Sequence, residues 1–136
     1  MPLTAPLRGV VPPVCTPLDE TGEVDTASLA RLVEHLVTGG VHGLFALGST
    51  SEVAYLTDEQ RAVTLRTVVE AAAGRVPVLA GVIDTTTARV VAHARVAAEL
   101  GADALVATAP TFRRVVFRGS KEDIKQIAVD GTRLVM

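Results

Sequence analysis

One segment of the sequence gathers small polar side chains directly behind an apolar run: Gly48-Ser49-Thr50-Ser51-Glu52 follows Gly43-Leu44-Phe45-Ala46-Leu47. Hydroxyls and backbone N–H groups in a glycine-led turn can converge on an anion, so this pattern can hold a carboxylate or phosphate without arginine. The same residues also make an ordinary polar loop, and spacing alone does not separate the two readings. The spacing and lysine of a nucleotide P-loop are missing and no dinucleotide fingerprint is present, so no cofactor is expected. His35, His42 and His93 share no ligand spacing and read as helix-surface or packing residues, so no metal is expected either. Cys15 lies in an apolar run and reads as a small buried hydrophobe. Asp84 stands beside threonines at the start of a helical pattern and reads as a cap. Both lysines, Lys121 and Lys125, lie in the last quarter of the chain. Ser120 with Asp123 three residues on reads as a helix cap, which leaves these lysines solvated one turn apart.

The elements that must position such residues follow from the apolar pattern. Short unalternating runs occur at Gly9 to Cys15, Gly43 to Leu47, Val76 to Val82 and Ala104 to Ala107, each bounded by turn residues, as strands buried on both faces require. Helical patterns lie between them. Leu29, Leu32, Val33, Leu36 and Val37 form one apolar stripe, with Asp25 or Thr26 as cap and Gly39-Gly40 as stop. Thr57-Asp58-Glu59-Gln60 is a capping box that opens a second helix running to Gly74. A third follows Thr85-Thr86-Thr87, aligns Val90, Val91, Ala94, Ala97 and Ala98, and stops at Gly101. Strand and helix alternating about every 30 residues predict α/β class with successive βαβ units and a parallel sheet. A small doubly wound sheet and a piece of a (β/α) barrel are equally open at this point, and both place ligand chemistry at the carboxyl ends of the strands. Beyond Pro110, Arg113 to Phe117 reads as a strand, Ser120 to Val129 as a helix, and Thr132 to Met136 as the start of another strand.

The 136 residues fit a single domain or part of one. Thirteen basic against fifteen acidic residues leave no positive field for nucleic acid or anionic lipid, and four aromatics without tryptophan argue against a base-stacking surface. No stretch reaches the roughly 18 apolar residues of a membrane span, and a single cysteine suits a reducing, cytoplasmic compartment. Charge is uneven along the chain. Residues 1–110 carry seven arginines against twelve acidic residues, whereas residues 111–136 carry six basic against three acidic ones.

Taken together, Val14-Cys15-Thr16-Pro17-Leu18-Asp19 with Gly22, Leu44 to Glu52, Leu56-Thr57, and Val76 to Val82 carry a resemblance. From Gly9 to Pro110 the chain resembles the N-terminal half of the dihydrodipicolinate synthase/N-acetylneuraminate lyase family, the pyruvate-dependent class I aldolases and lyases built on a (β/α)8 barrel. The resemblance implies residues 1–110 as half a barrel and residues 111–136 as a divergent tail. It implies that Ser49 and Thr50 bind the carboxylate of a 2-oxo acid such as pyruvate, with the Ser49 hydroxyl also serving a proton relay. Ser51 stands where the family's loop has its second glycine. Pro110-Thr111-Phe112 stands where the family commonly has proline-tyrosine-tyrosine, so a phenol is missing there. Gly119-Ser120-Lys121-Glu122 resembles the glycine-x-lysine-acid segment that ends the family's sixth strand, which makes Lys121 the candidate Schiff-base nucleophile. A full barrel needs about 250 residues. The chain is therefore expected to self-associate or to bind a complementary half-barrel, acting as an interrupted lyase, as a non-catalytic oxo-acid module, or as an assembly partner.

Overall fold

The structure, a computed structural model, describes residues 6–108 and 133–135. Four strands form one parallel sheet in chain order: β1 (Leu44–Ala46), β2 (Val78–Gly81), β3 (Ala104–Val106) and β4 (Arg133–Val135). Leu44 is in register with Val78, Leu79 with Ala104, and Ala104 with Arg133. Helices α1 (Thr26–Thr38), α2 (Asp58–Ala72) and α3 (Thr87–Glu99) alternate with the strands. Sequential neighbours pair in parallel and a helix precedes each of β1, β2 and β3, which makes an arc of a (β/α) barrel and not a doubly wound sheet, whose strand order reverses. The expected strand-like end of the chain is present as β4. Lys121, with the expected strand at Arg113 to Phe117 and helix at Ser120 to Val129, lies outside the described residues.

The caps explain where the helices begin. Asp25 caps α1 by accepting from the Ser28 N–H at 2.9 Å, and Gly39 closes it. At α2 the capping box is complete: the Gln60 N–H donates to the Thr57 hydroxyl at 3.1 Å, and the Thr57 N–H donates to Gln60 Oε1 at 3.0 Å. This helix stops at Ala72, one turn residue short of Gly74, with Ala73 in the left-handed region. Thr86, not Asp84, caps α3 through the Arg89 N–H.

The core lies between the helices and one face of the sheet. Leu29 and Val33 of α1, Leu65, Val68 and Ala72 of α2, and Val90, Ala94 and Ala97 of α3 are buried against Leu44, Ala46, Val78, Ala80 and Leu105. At the surface, Arg75 grips Glu34 with two bonds of 2.6 and 3.1 Å and ties the end of α2 to α1.

Two expectations fail at the first apolar run. Gly9 to Cys15 forms only an isolated parallel bridge, Pro13 to Phe45, instead of a regular strand. The run still follows β1, since the Val14 N–H donates to the Phe45 carbonyl and the His42 and Phe45 N–H groups donate to Val10 and Pro12. Pro12 and Pro13 have no N–H, so a continuous ladder cannot form. Cys15 is exposed while Val14 and Thr16 on either side are buried. The segment thus alternates with one face on the core, and Cys15 lies on the other.

Candidate functional site

The ends of β1 and β2 carry the segment that the sequence singles out. Ser49–Ser51 fold as one 3-10 turn led by Gly48, and Val53–Tyr55 as a second. Leu47 and Glu52, on either side of Gly48–Ser51, have φ of 59° and 56°. A non-glycine residue in this region costs about 1–3 kcal/mol, and such strain collects where a site needs a backbone that would not otherwise form.

Three contacts hold that strained turn. At its start, Leu47 lies so close over Gly81 of β2 that any Cβ at position 81 would run into the Leu47 carbonyl, and a Cβ at Gly48 would come within 2.8 Å of the Phe45 ring. In its middle, the buried Ser51 hydroxyl donates to the Val14 carbonyl of the first apolar run. At its end, Arg61 Nη2 donates to the Val53 carbonyl at 3.1 Å while Nη1 donates to the Ile83 carbonyl at 3.0 Å. Ser49 and Thr50 are left exposed between these anchors, and among the described residues their hydroxyls make no hydrogen bond. Thr16, two residues beyond Val14, is buried with its hydroxyl unpartnered.

Behind the turn, α2 and α3 enclose a polar cluster. Asp84 Oδ2 accepts from His93 Nε2 at 2.7 Å and from Arg89 Nε at 2.9 Å, with Arg61 Nη1 at 3.7 Å, and Arg89 reaches on to Asp58 at 3.0 Å. Burial works to raise the Asp84 carboxyl, and donation from the Thr85 N–H, His93, Arg89 and the Thr85 hydroxyl outweighs it. The carboxyl is held well below the ordinary carboxylate range. Burial lowers Arg61 from the usual arginine value, against the opposing pull of Asp84 and Asp58.

Sequence reasoning singled out Ser49 and Thr50, gave no part to Arg61, and read Asp84 as a cap. The signal for Arg61 was its register: positions 61, 65, 68 and 72 share the buried stripe of α2, where an arginine is out of place. The histidines do not come together, since His42 Nδ1 accepts from the Val10 N–H and His93 bonds Asp84. Among the described residues no group of His, Cys, Asp or Glu is placed to hold a metal ion.

Comparison with known proteins bears on what this turn is for. The model of the dihydrodipicolinate synthetase family matches residues 6–136. The chain belongs to this family. The match runs past Pro110, where the motif resemblance stops. The 4-hydroxy-tetrahydrodipicolinate synthase of Xanthomonas axonopodis pv. citri is 38% identical over 92% of the chain and 41% of its own length. Among solved structures, YagE of E. coli K12, a family member crystallised in complex with pyruvate, superposes with a TM-score of 0.85 at 32% identity, covering 91% of this chain and 42% of that one. N-acetylneuraminate lyase from Mycoplasma synoviae superposes at 0.80 with 29% identity, over 89% of this chain and 42% of its own. The dihydrodipicolinate synthetase family and its barrel are thus shared, and the chain spans about 40% of the length of the curated relatives it matches. No helix among the described residues is long and apolar enough to cross a membrane.

Proposed function

We propose that the Gly48–Glu52 turn binds the carboxylate of a 2-oxo acid such as pyruvate, and that the chain is part of a pyruvate-dependent lyase of the cytoplasm. The observation that carries this reading is the turn itself: a backbone strained at Leu47 and Glu52, anchored at three points, that leaves the Ser49 and Thr50 hydroxyls free at the ends of parallel strands. Two hydroxyl donors in a fixed turn suit the two oxygens of a carboxylate, and preorganisation removes the ordering cost at binding.

Carbon–carbon or carbon–oxygen lyase chemistry needs an amine as well. A lysine attacks the ketone carbon, water leaves, and the resulting imine draws electrons from the neighbouring bond. Within this chain the candidate is Lys121, in the stretch between β3 and β4, with Ser49 available for proton relay. Residues 1–110 then serve as the barrel half that carries the carboxylate site and residues 111–136 as the tail that brings the amine. The second reading, an oxo-acid module without turnover, is favoured by Pro110-Thr111-Phe112, which offers no phenol where the family commonly has one.

Pyruvate titration tests the binding that both readings share, and borohydride trapping separates them. The chain is expected to gain thermal stability with pyruvate, about 2.7 kcal/mol at a hundredfold excess over Kd. Thr50→Ala is expected to weaken binding roughly tenfold, the loss of one hydrogen bond to a charged group. A melting temperature that ignores pyruvate defeats the proposal. Borohydride reduction with pyruvate should give a mass adduct that Lys121→Ala abolishes if the chain forms its own Schiff base, and none if it is a binding module.

A further inference from the structure

The strained turn has to be held by something outside itself. Its first half rests on Gly81 and its middle on Val14, but its far end, after the left-handed Glu52, depends on one side chain. Arg61 closes the first turn of α2, has 10% of its side chain exposed, and spreads its fork between two carbonyls that belong to different loops: Val53, which follows the turn, and Ile83, which follows β2. Val82, next to Ile83, is itself fixed to β3 by its N–H to the Val106 carbonyl at 3.0 Å. The arginine therefore connects the turn to the interior of the sheet. Its Nε is buried without a partner, so the side chain is kept there by the two carbonyls and by Asp84 and not by complete satisfaction of its own donors.

We propose that Arg61 is a positioning residue: its guanidinium locks the end of the Gly48–Val53 turn to the end of β2 and so fixes the Ser49 and Thr50 hydroxyls for an oxo-acid carboxylate, an inference that rests on the reading of that turn given above. Arg61 does not touch the ligand. A neutral or single-donor side chain cannot bridge two carbonyls in the same way, because only the planar fork presents parallel donors at fixed separation.

The test uses the 136-residue chain with Arg61→Gln, Arg61→Lys, and Arg75→Gln as a control that breaks the distant ion pair with Glu34. Amide exchange is followed at Ser51 and Glu52, whose N–H groups close the turn on Gly48 and Ser49, and pyruvate affinity is read from thermal shift. Arg61→Gln is expected to speed exchange at these two amides at least tenfold beyond any change in the core, and to raise the pyruvate Kd at least tenfold. Arg61→Lys should recover less than half of either effect, and Arg75→Gln should lower the melting temperature while moving neither. Exchange and affinity within twofold of wild type in Arg61→Gln overturn the proposal; if that variant does not fold, the same result in Arg61→Lys does so. A wild-type turn that exchanges at the random-coil rate overturns it too. A wild type that ignores pyruvate sinks the oxo-acid reading alone, and exchange at Ser51 and Glu52 still decides whether Arg61 is the lock.

Discussion

Asp84 shows how much a single carboxylate carries in this molecule. Its two oxygens accept from the Thr85 N–H and hydroxyl on one side and from Arg89 and His93 on the other, with Arg61 close by. A buried carboxylate surrounded by donors is stable only while charged, and its folded-state value lies below the unfolded one. Its contribution is therefore present in full above the ordinary aspartate value of about 3.9 and is lost as pH falls toward the folded value. Asp84→Asn should cost about 2 kcal/mol at neutral pH, since Arg89 and His93 lose a charged acceptor. Urea midpoints at pH 7 and pH 3 check this: the gap between variant and wild type should narrow at the lower pH. Asp19, Asp25 and Glu34 are lowered as well, by hydrogen bonds from Thr21, Ser28 and Arg75 respectively, so the acid sensitivity must be read as a difference between the two proteins. Sequence alone reads Asp84 as a cap, because an acid before threonines at a helix start is the usual N-terminal signature. The side chains that surround it, Arg61, Arg89 and His93, come from α2 and α3, and no local pattern encodes that meeting.

Among the elements, the turn after β1 and the strand β2 are one mechanical unit. A methyl group at Gly81 would collide with backbone, which cannot swing aside as a side-chain tip can. Gly81→Ala should therefore cost about 2 kcal/mol by displacing Leu47, and the displaced turn should lose its response to pyruvate. Gly74→Ala provides the comparison: its φ of 69° makes alanine strained, but nothing lies within 4 Å of the added methyl, so stability should fall with the pyruvate response unchanged. Denaturation midpoints and thermal shifts of the two variants check both statements. Much at this scale was legible beforehand. The Asp25 cap, the Thr57/Gln60 box and the apolar stripes act through neighbours a few residues apart, and the three central runs are short, apolar and bounded by turn residues, which is enough to declare strands. The first run was not readable as a ladder, since its apolar content signalled a strand while Pro12 and Pro13 removed the donors a ladder uses. In the candidate site, the hydroxyls of Ser49 and Thr50 stood out by composition. Their supports did not, because Gly81, Val14 and Arg61 reach the turn from 32, 35 and 12 positions away from Ser49 along the chain.

At the largest scale, the arc of barrel leaves the sheet unclosed among the described residues. Four paired strands and the Pro12–Pro13 segment make the described sheet, whereas a closed barrel of this kind has eight strands and no edges. Register divides the sheet into two faces. Leu44, Val78 and their like pack under the helices, while Phe45, Leu79 and Ala104 stand side by side on the opposite face, outside the helix-side core. That second face is apolar in composition, as the interior of a barrel filled by strands from all around requires. The two sheet edges are unequal: two prolines withdraw N–H donors from the first, and among the described residues β4 pairs only with β3. An open strand edge beside an apolar face is a template for pairing with another chain. The 136-residue chain is accordingly expected to associate with itself, or with a complementary half-barrel when one is supplied. Sedimentation over a hundredfold range of concentration should show mass rising above 14.2 kDa, and pyruvate should shift that equilibrium if closing the barrel completes the site. A sharp monomer at every concentration would instead mean that the sheet edges do not pair with another chain, and the assembly reading would then be abandoned.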